Sequence, residues 1–252
     1  EDEETIITVP TIEVEDCIGE KILNTRTGNC ECPDGKVEDS AGNCVDDCTD
    51  FEDVVGKVLN IEGGFVDDPT DPGGPTNKGI SWPVWKKNAN NILGLNPTLI
   101  NLQNLTENQA KKIYKKLYWD SIYADDIIDG DLRYMLFDFH VNAGGNAIKV
   151  LQKTLNQLGS TLTVDGGIGS QTINEINVFD NQITLYNTFK SNRKSYYNNI
   201  TQNSINKYIT KHPNALEAEI KSKTFKKYIN GWINRANHFL DKTSTNYLYV
   251  NC

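Results

Sequence analysis

The chain has 252 residues, 38% hydrophobic and 23% charged, with a formal net charge of −9; that is long enough for one substantial core and a small satellite. Acidic residues outnumber basic ones 15 to 3 in residues 1–50, whereas the remainder holds 19 against 22, so the acidity is local and the body is mildly basic. This balance suits contact with an anionic polymer but falls short of the basic footprint of a nucleic-acid binder, and no apolar run approaches the ~20 residues of a membrane-spanning helix.

Residues 1–16 form an acidic arm around TIITVPTIEV. Its β-branched residues favour a strand, and Pro10 confines that strand to an edge or an isolated extended segment. The arm reads either as a disordered tail or as an element that pairs with another subunit. The chain opens EDEE without methionine, as it would after removal of a leader or longer precursor.

Residues 17–48 hold a repeat. Cys17 to Cys30 is followed by Cys32 to Cys44, and each unit ends Gly-Asn-Cys. Gly-Asn pairs favour tight turns because both residues tolerate positive φ. Each unit is therefore expected to be a short hairpin closed by its own disulfide, Cys17–Cys30 and Cys32–Cys44. Cys48 and Cys252 remain, and their pairing would tie the chain end to the start of the main domain. A zinc site is the weaker reading, because the segment has no His and no Cys-x2-Cys pair. The module suits spacing or docking better than chemistry.

The main domain is expected over residues 49–240, followed by a tail at 241–252. Thr49-Asp50-Phe51-Glu52 has the form of a capping box. Val54, Val55, Val58, Leu59 and Ile61 then recur at helical spacing, and Glu62 closes the helix before Gly63-Gly64. A loop rich in Asp, Pro and Gly follows, with a short hairpin expected in it. Trp82 and Trp85 suit either sugar stacking or core packing. A second capping box at Thr106–Gln109 opens a helix whose outer face carries Lys111, Lys112, Lys115 and Lys116, a pattern usual for a solvated face. Further helices are expected over Asp131–Val141, from Ile148 to Leu158, from Phe179 to about Tyr197 and from Phe225 to Leu240. Ser170 is a plausible N-cap and Pro213 a plausible helix start. Strand signals are few, so the fold class is mainly α.

Glu62 is the natural proton donor: it sits on a rigid helix beside apolar residues, facing a stiff loop with three aspartates. Asp67, Asp68 and Asp71 compete for the role of second carboxylate. Their alternative role is turn construction before Pro. A calcium loop is disfavoured, because the alternating ligands and closing Glu of an EF-hand are missing. No metal and no cofactor are therefore expected. Asp138 and Asn142 lie four apart on one helix and are expected to face the same groove as substrate contacts, with Asp68 a further one.

EGGFVDDPTDPGGPTNKGI (62–80) resembles the signature of glycoside hydrolase family 108. IYKKLYWD, FDFHVNAGGNAIKVLQKTLNQLG, VDGGIGSQTINEI and GWINRAN are similar to later blocks of that family and of its type 3 peptidoglycan-binding segment. The resemblance covers residues 51–240 in order. It implies a lysozyme-like fold of two helical lobes, with residues 131–177 as the peptidoglycan-binding-like lobe closing one side of a cleft. It also implies hydrolysis of the β-1,4 bond between N-acetylmuramic acid and N-acetylglucosamine, with the family's catalytic glutamate at Glu62. The order Glu62, Asp71, Thr76 is also similar to that of family 24 phage lysozymes, with the threonine gap one residue shorter. It favours Asp71 as second carboxylate, Thr76 as a group that positions water, and inversion over retention. Peptidoglycan is the implied partner, an extracellular, periplasmic or virion-associated location is expected, and residues 1–48 are candidates for contact with other virion proteins. A non-catalytic wall-binding or virion structural protein, and a chitinase or chitosanase, are the competing readings.

Overall fold

The duplicated cysteine pattern folds as two successive hairpins. Strand β1 (Ile22–Leu23) pairs antiparallel with β2 (Cys30–Glu31), and β3 (Lys36–Glu38) with β4 (Cys44–Asp46). Disulfides join Cys17 to Cys30 and Cys32 to Cys44, with Cα separations of 5.5 and 5.4 Å, as the repeat predicts. Strands of two and three residues cannot bury a core. Each cross-link closes a loop of about a dozen residues and supplies about 3 kcal/mol by restricting the unfolded chain. The computed structural model describes residues 17, 19, 21–23, 30–32, 36–38, 44–46, 49–67 and 74–243. The arm 1–16 and the proposed Cys48–Cys252 pair lie outside the described residues.

The second unit spans Thr49–Ser244 and is mainly helical. Helix α1 (Phe51–Glu62) is followed by a hairpin of β5 (Thr76–Asn77) and β6 (Ile80–Ser81), then α2 (Trp82–Leu93), α3 (Leu99–Gln103) and α4 (Glu107–Tyr114). A π-helical turn at Lys115–Trp119 and two 3₁₀ turns lead into α5 (Gly130–Ala143), α6 (Gly145–Gln157) and α7 (Ser170–Asn177). The 30-residue α8 (Gln182–Lys211), α9 (Glu217–Lys223), a 3₁₀ turn at Phe225–Lys227 and α10 (Ile229–Asn237) complete it.

Helix α5 lies at the centre. Leu132, Met135, Leu136, Phe137 and Phe139 are all buried, so apolar residues surround the helix axis instead of forming one stripe, as a helix covered on all sides requires. On one side Phe51 of α1 meets Trp119 and Phe137 edge-on, with centroids 5.5 and 6.1 Å apart. On the other, Phe139 meets Phe189, Tyr196 and Tyr197 of α8.

Several element boundaries differ from expectation. Asp50, not Thr49, caps α1, accepting from the Asp53 N–H at 2.9 Å. The Thr49 carbonyl and hydroxyl are instead bonded by Arg133 of α5 at 3.2 and 2.9 Å. The Thr106–Gln109 box forms as predicted, with reciprocal bonds of 3.0 and 3.2 Å. Part of the lysine face is ion-paired: Lys111 of α4 reaches Glu52 at 3.0 Å, and Lys115, on the π-helical turn that follows, reaches Asp125 at 2.8 Å. Gly169, not Ser170, is the N-cap of α7. Helix α8 runs well past Tyr197, since Asn, Lys and Gln continue its exposed faces without a breaker; its last buried residue is Thr201. The helical pattern from Phe225 breaks at Tyr228. Pro213 sits in a turn, and α9 starts at Glu217. Trp85 belongs to the core, its indole N–H donating to the Thr98 carbonyl at 3.0 Å.

Candidate active site

Glu62 is the last residue of α1, on the face that buries Val58 and Leu59. Gly63, at φ +76°, stops the helix, and its N–H returns to the Leu59 carbonyl. The chain then runs to Val66, which exchanges two backbone hydrogen bonds of 2.8 Å with Thr76. Thr76 and Asn77 pair with Ser81 and Ile80 through a two-residue turn, Lys78-Gly79, both at positive φ, the geometry of a tight hairpin. Two contacts fix this turn. The Asn77 amide donates to the Leu102 and Gln103 carbonyls at 2.8 and 3.0 Å, and the Tyr114 hydroxyl donates to the Lys78 carbonyl at 3.0 Å.

The turn lies against the glutamate. A Cβ on Gly79 would stand 2.2 Å from the Tyr114 hydroxyl and 2.9 Å from both Cβ and Cγ of Glu62. With φ at +73°, glycine alone fits. Gly79→Ala is therefore expected to cost about 2–4 kcal/mol through crowding and backbone strain, read as a lowered melting temperature. A variant that melts with the parent would show the turn able to yield.

Four charged side chains run inward from this point. Glu62 Oε1 accepts from Arg235 Nη1 of α10 at 2.6 Å. Arg235 Nε donates to Asp138 Oδ1 of α5 at 2.9 Å, and Arg193 Nη2 of α8 donates to Asp138 Oδ2 at 2.6 Å. Asp138 is 1% exposed and Arg193 wholly buried. Asp138 bridges the two guanidiniums, and this pairing offsets the cost of burying them. Burial works against the charge on Arg235, but Asp138 and then Glu62 outweigh it and hold the guanidinium firmly protonated. Arg193 Nε and Nη1 have no hydrogen-bond partner in good geometry among the described residues. Its guanidinium instead lies over the rings of Phe139, Phe239 and Tyr197 at 4.9, 5.3 and 5.8 Å, where cation–π attraction replaces the missing acceptors.

Two tyrosines also feel the glutamate. Burial, then the Glu62 charge, pushes the hydroxyls of Tyr114 and Tyr118 above the ordinary tyrosine value, so both remain proton donors at neutral pH. Tyr118 sits on the π-helical turn directly after α4. Burial and then Asp138 raise Tyr134 to about 12.

Glu62 is thus anchored through one oxygen, while its other oxygen has no partner among the described residues and the side chain is 22% exposed. A carboxyl oriented in this way can pass a proton to or from a bound oxygen, and Arg235 stabilises the carboxylate once the proton has left.

The sequence-predicted residues are distributed as follows. Thr76 lies in the hairpin whose turn packs on Glu62, its hydroxyl 3.4 Å from the Gly74 carbonyl. Asp138 was expected to face a groove; it is instead buried, with both oxygens bound by arginine. Asn142, one turn on, is exposed and accepts from the Tyr197 hydroxyl at 2.7 Å. Asp68 and Asp71 lie outside the described residues, and Asp67 is exposed. Arg235, Arg193, Tyr114 and Gly79 were not anticipated as site residues. The detectable signal was an arginine inside the apolar pattern Trp232, Ile233, Ala236, Phe239. Among the described residues no cluster of His, Cys, Asp and Glu is arranged to hold a metal ion, and no helix is long and apolar enough to cross a membrane.

A carboxylate on a helix end, pressed by a tight β-turn inside a mainly helical body, is an arrangement suited to acid catalysis. Residues 55–144 match the family model described as glycosyl hydrolase 108, and residues 146–237 match that described as a predicted peptidoglycan domain. Each match covers a little over a third of the chain, so residues 55–144 are similar to a family 108 glycoside hydrolase segment and residues 146–237 to a peptidoglycan domain. The fold is similar to that of SagA from Brucella abortus, with a TM-score of 0.53 and 23% identity over 77% of this chain and 97% of that one. The chain matches no curated protein. The two segments share the site: Glu62 and Asp138 belong to the first, Arg193 and Arg235 to the second.

Proposed function

We propose that this chain is a muramidase that hydrolyses the β-1,4 bond between N-acetylmuramic acid and N-acetylglucosamine in peptidoglycan, with Glu62 as general acid. The observation that carries this reading is the Glu62 carboxyl, fastened at one oxygen by Arg235, with no partner for the other among the described residues. That other oxygen delivers a proton to the glycosidic oxygen as the C–O bond breaks, and the developing positive charge on the sugar ring needs a second carboxylate. Asp71 is the choice for that role, with Thr76 holding the attacking water and inversion the favoured outcome. Asp71→Asn is expected to lower the rate far more than Asp68→Asn; the reverse ranking would transfer the role to Asp68. The two disulfides support work outside the reducing cytoplasm, as a secreted or virion-associated enzyme.

The test is digestion of purified peptidoglycan, followed by borohydride reduction and mass spectrometry of the released fragments. Reduced muramic acid ends are expected. Reduced glucosamine ends would overturn the assignment of the bond, and no release would favour a non-catalytic wall-binding or virion structural protein.

A further inference from the structure

Helix α10 and the turn before it carry three adjoining aromatic rings besides Arg235. Trp232, one turn before Arg235, stacks on Tyr197 of α8 with centroids 5.3 Å apart and planes at 22°. Tyr228 lies against Trp232 at 5.6 Å and 32°, and Phe225 meets Trp232 edge-on at 5.7 Å. Tyr228 and Phe225 are 45% and 44% exposed. The core does not need these two rings, and adjoining exposed aromatics are unfavourable on a surface that meets only water.

The shelf is continuous with the site. Helices α5 and α10 are linked twice: directly through Asp138 and Arg235, and one turn further out through Asn142, Tyr197 and Trp232. At 1.5 Å per residue, Trp232 is ~4.5 Å and Tyr228 ~10 Å along the helix axis from Arg235, the residue that holds Glu62. At the inner end, the Asn142 side chain uses its oxygen for Tyr197, and its amide nitrogen has no partner among the described residues. The Lys227 ammonium rests over the Tyr228 ring at 4.7 Å.

We propose that Tyr228, Phe225 and Trp232, with the Asn142 amide at their inner end, form a stacking subsite for sugar rings of the glycan strand beside the bond that is cut. The inference rests on the reading of Glu62 as the catalytic acid of a glycan hydrolase. Aromatic faces match the C–H faces of pyranose rings, and a free amide donor suits their hydroxyl and acetamido oxygens.

The experiment is calorimetric titration of the full chain carrying Glu62→Gln, with and without Tyr228→Ala and Phe225→Ala, against peptide-free glycan strands released from peptidoglycan by an amidase. Both substituted side chains are well exposed, so the melting temperature is expected to hold; Trp232 is left in place because it packs on Tyr197. Binding about tenfold weaker in the double variant is expected. Equal affinity would overturn the subsite, as would binding of peptide-bearing peptidoglycan but not of peptide-free strands. The hydrolytic reading is separated by the wild-type chain: weaker binding in the double variant with no cleavage by wild type keeps the shelf and removes the catalytic role. Cleavage with equal affinities does the opposite.

Discussion

Glu62→Gln is expected to lower the rate of peptidoglycan hydrolysis by about a hundred- to ten-thousand-fold, the range associated with loss of a positioned acid. The amide keeps the shape and the oxygen that accepts from Arg235 Nη1, but it has no proton to give to the leaving oxygen. Arg235 still has Asp138 as a partner, so the variant is expected to melt within a few degrees of the parent. Fragment release measured by mass spectrometry and melting measured on the same preparations separate chemistry from folding. Equal release by the two chains would remove Glu62 from the mechanism.

Asp138→Asn is expected to be the most destabilising conservative change in the body. Its carboxylate is the counter-charge of Arg193, which is wholly buried, and of Arg235. Neutralising it leaves two buried guanidiniums facing one half-open glutamate. Removing one partner of a buried ion pair costs about 3–5 kcal/mol, which for a domain of this size corresponds to a fall in melting temperature of about 6–20 °C. Activity is expected to fall as well, because Arg235 loses the contact that aims it at Glu62. A change of less than 2 °C, taken as roughly the shift from half a kcal/mol, would mean that the cluster is not held by charge balance.

What the sequence made legible is what depends on neighbours in the chain. The two hairpin disulfides join residues 13 and 12 apart, and the Gly-Asn turns announce them. The helix ending in Glu62 and the hairpin beyond it are likewise written in local pattern: an apolar repeat, a glycine stop and a two-residue turn. The charge cluster is not local. Its bonds span 55, 97 and 173 residues, and an arginine is most often a surface residue, so nothing in the local composition placed Arg193 in the core. Asp138 was misjudged for the same reason. A carboxylate in an apolar helix reads as facing a groove until its two distant cations are known. The shift of the α1 cap from Thr49 to Asp50 has a similar origin, because Arg133, 84 residues away, takes both oxygens of Thr49. The π-helical turn that carries Tyr118 has no sequence signature at all.

The ion pair between Glu62 and Arg235 bears on how such chains are made and recombined. The acid is translated early, and its guanidinium partner arrives 173 residues later, so a nascent chain released short of α10 holds the glutamate without the network that orients it. The glycosyl hydrolase and peptidoglycan segments, though recognised as separate families, are therefore not interchangeable cassettes. Grafting a foreign peptidoglycan segment onto residues 55–144 removes both guanidiniums of the charge cluster, and such chimeras are expected to fold stably only when the donor supplies both arginines.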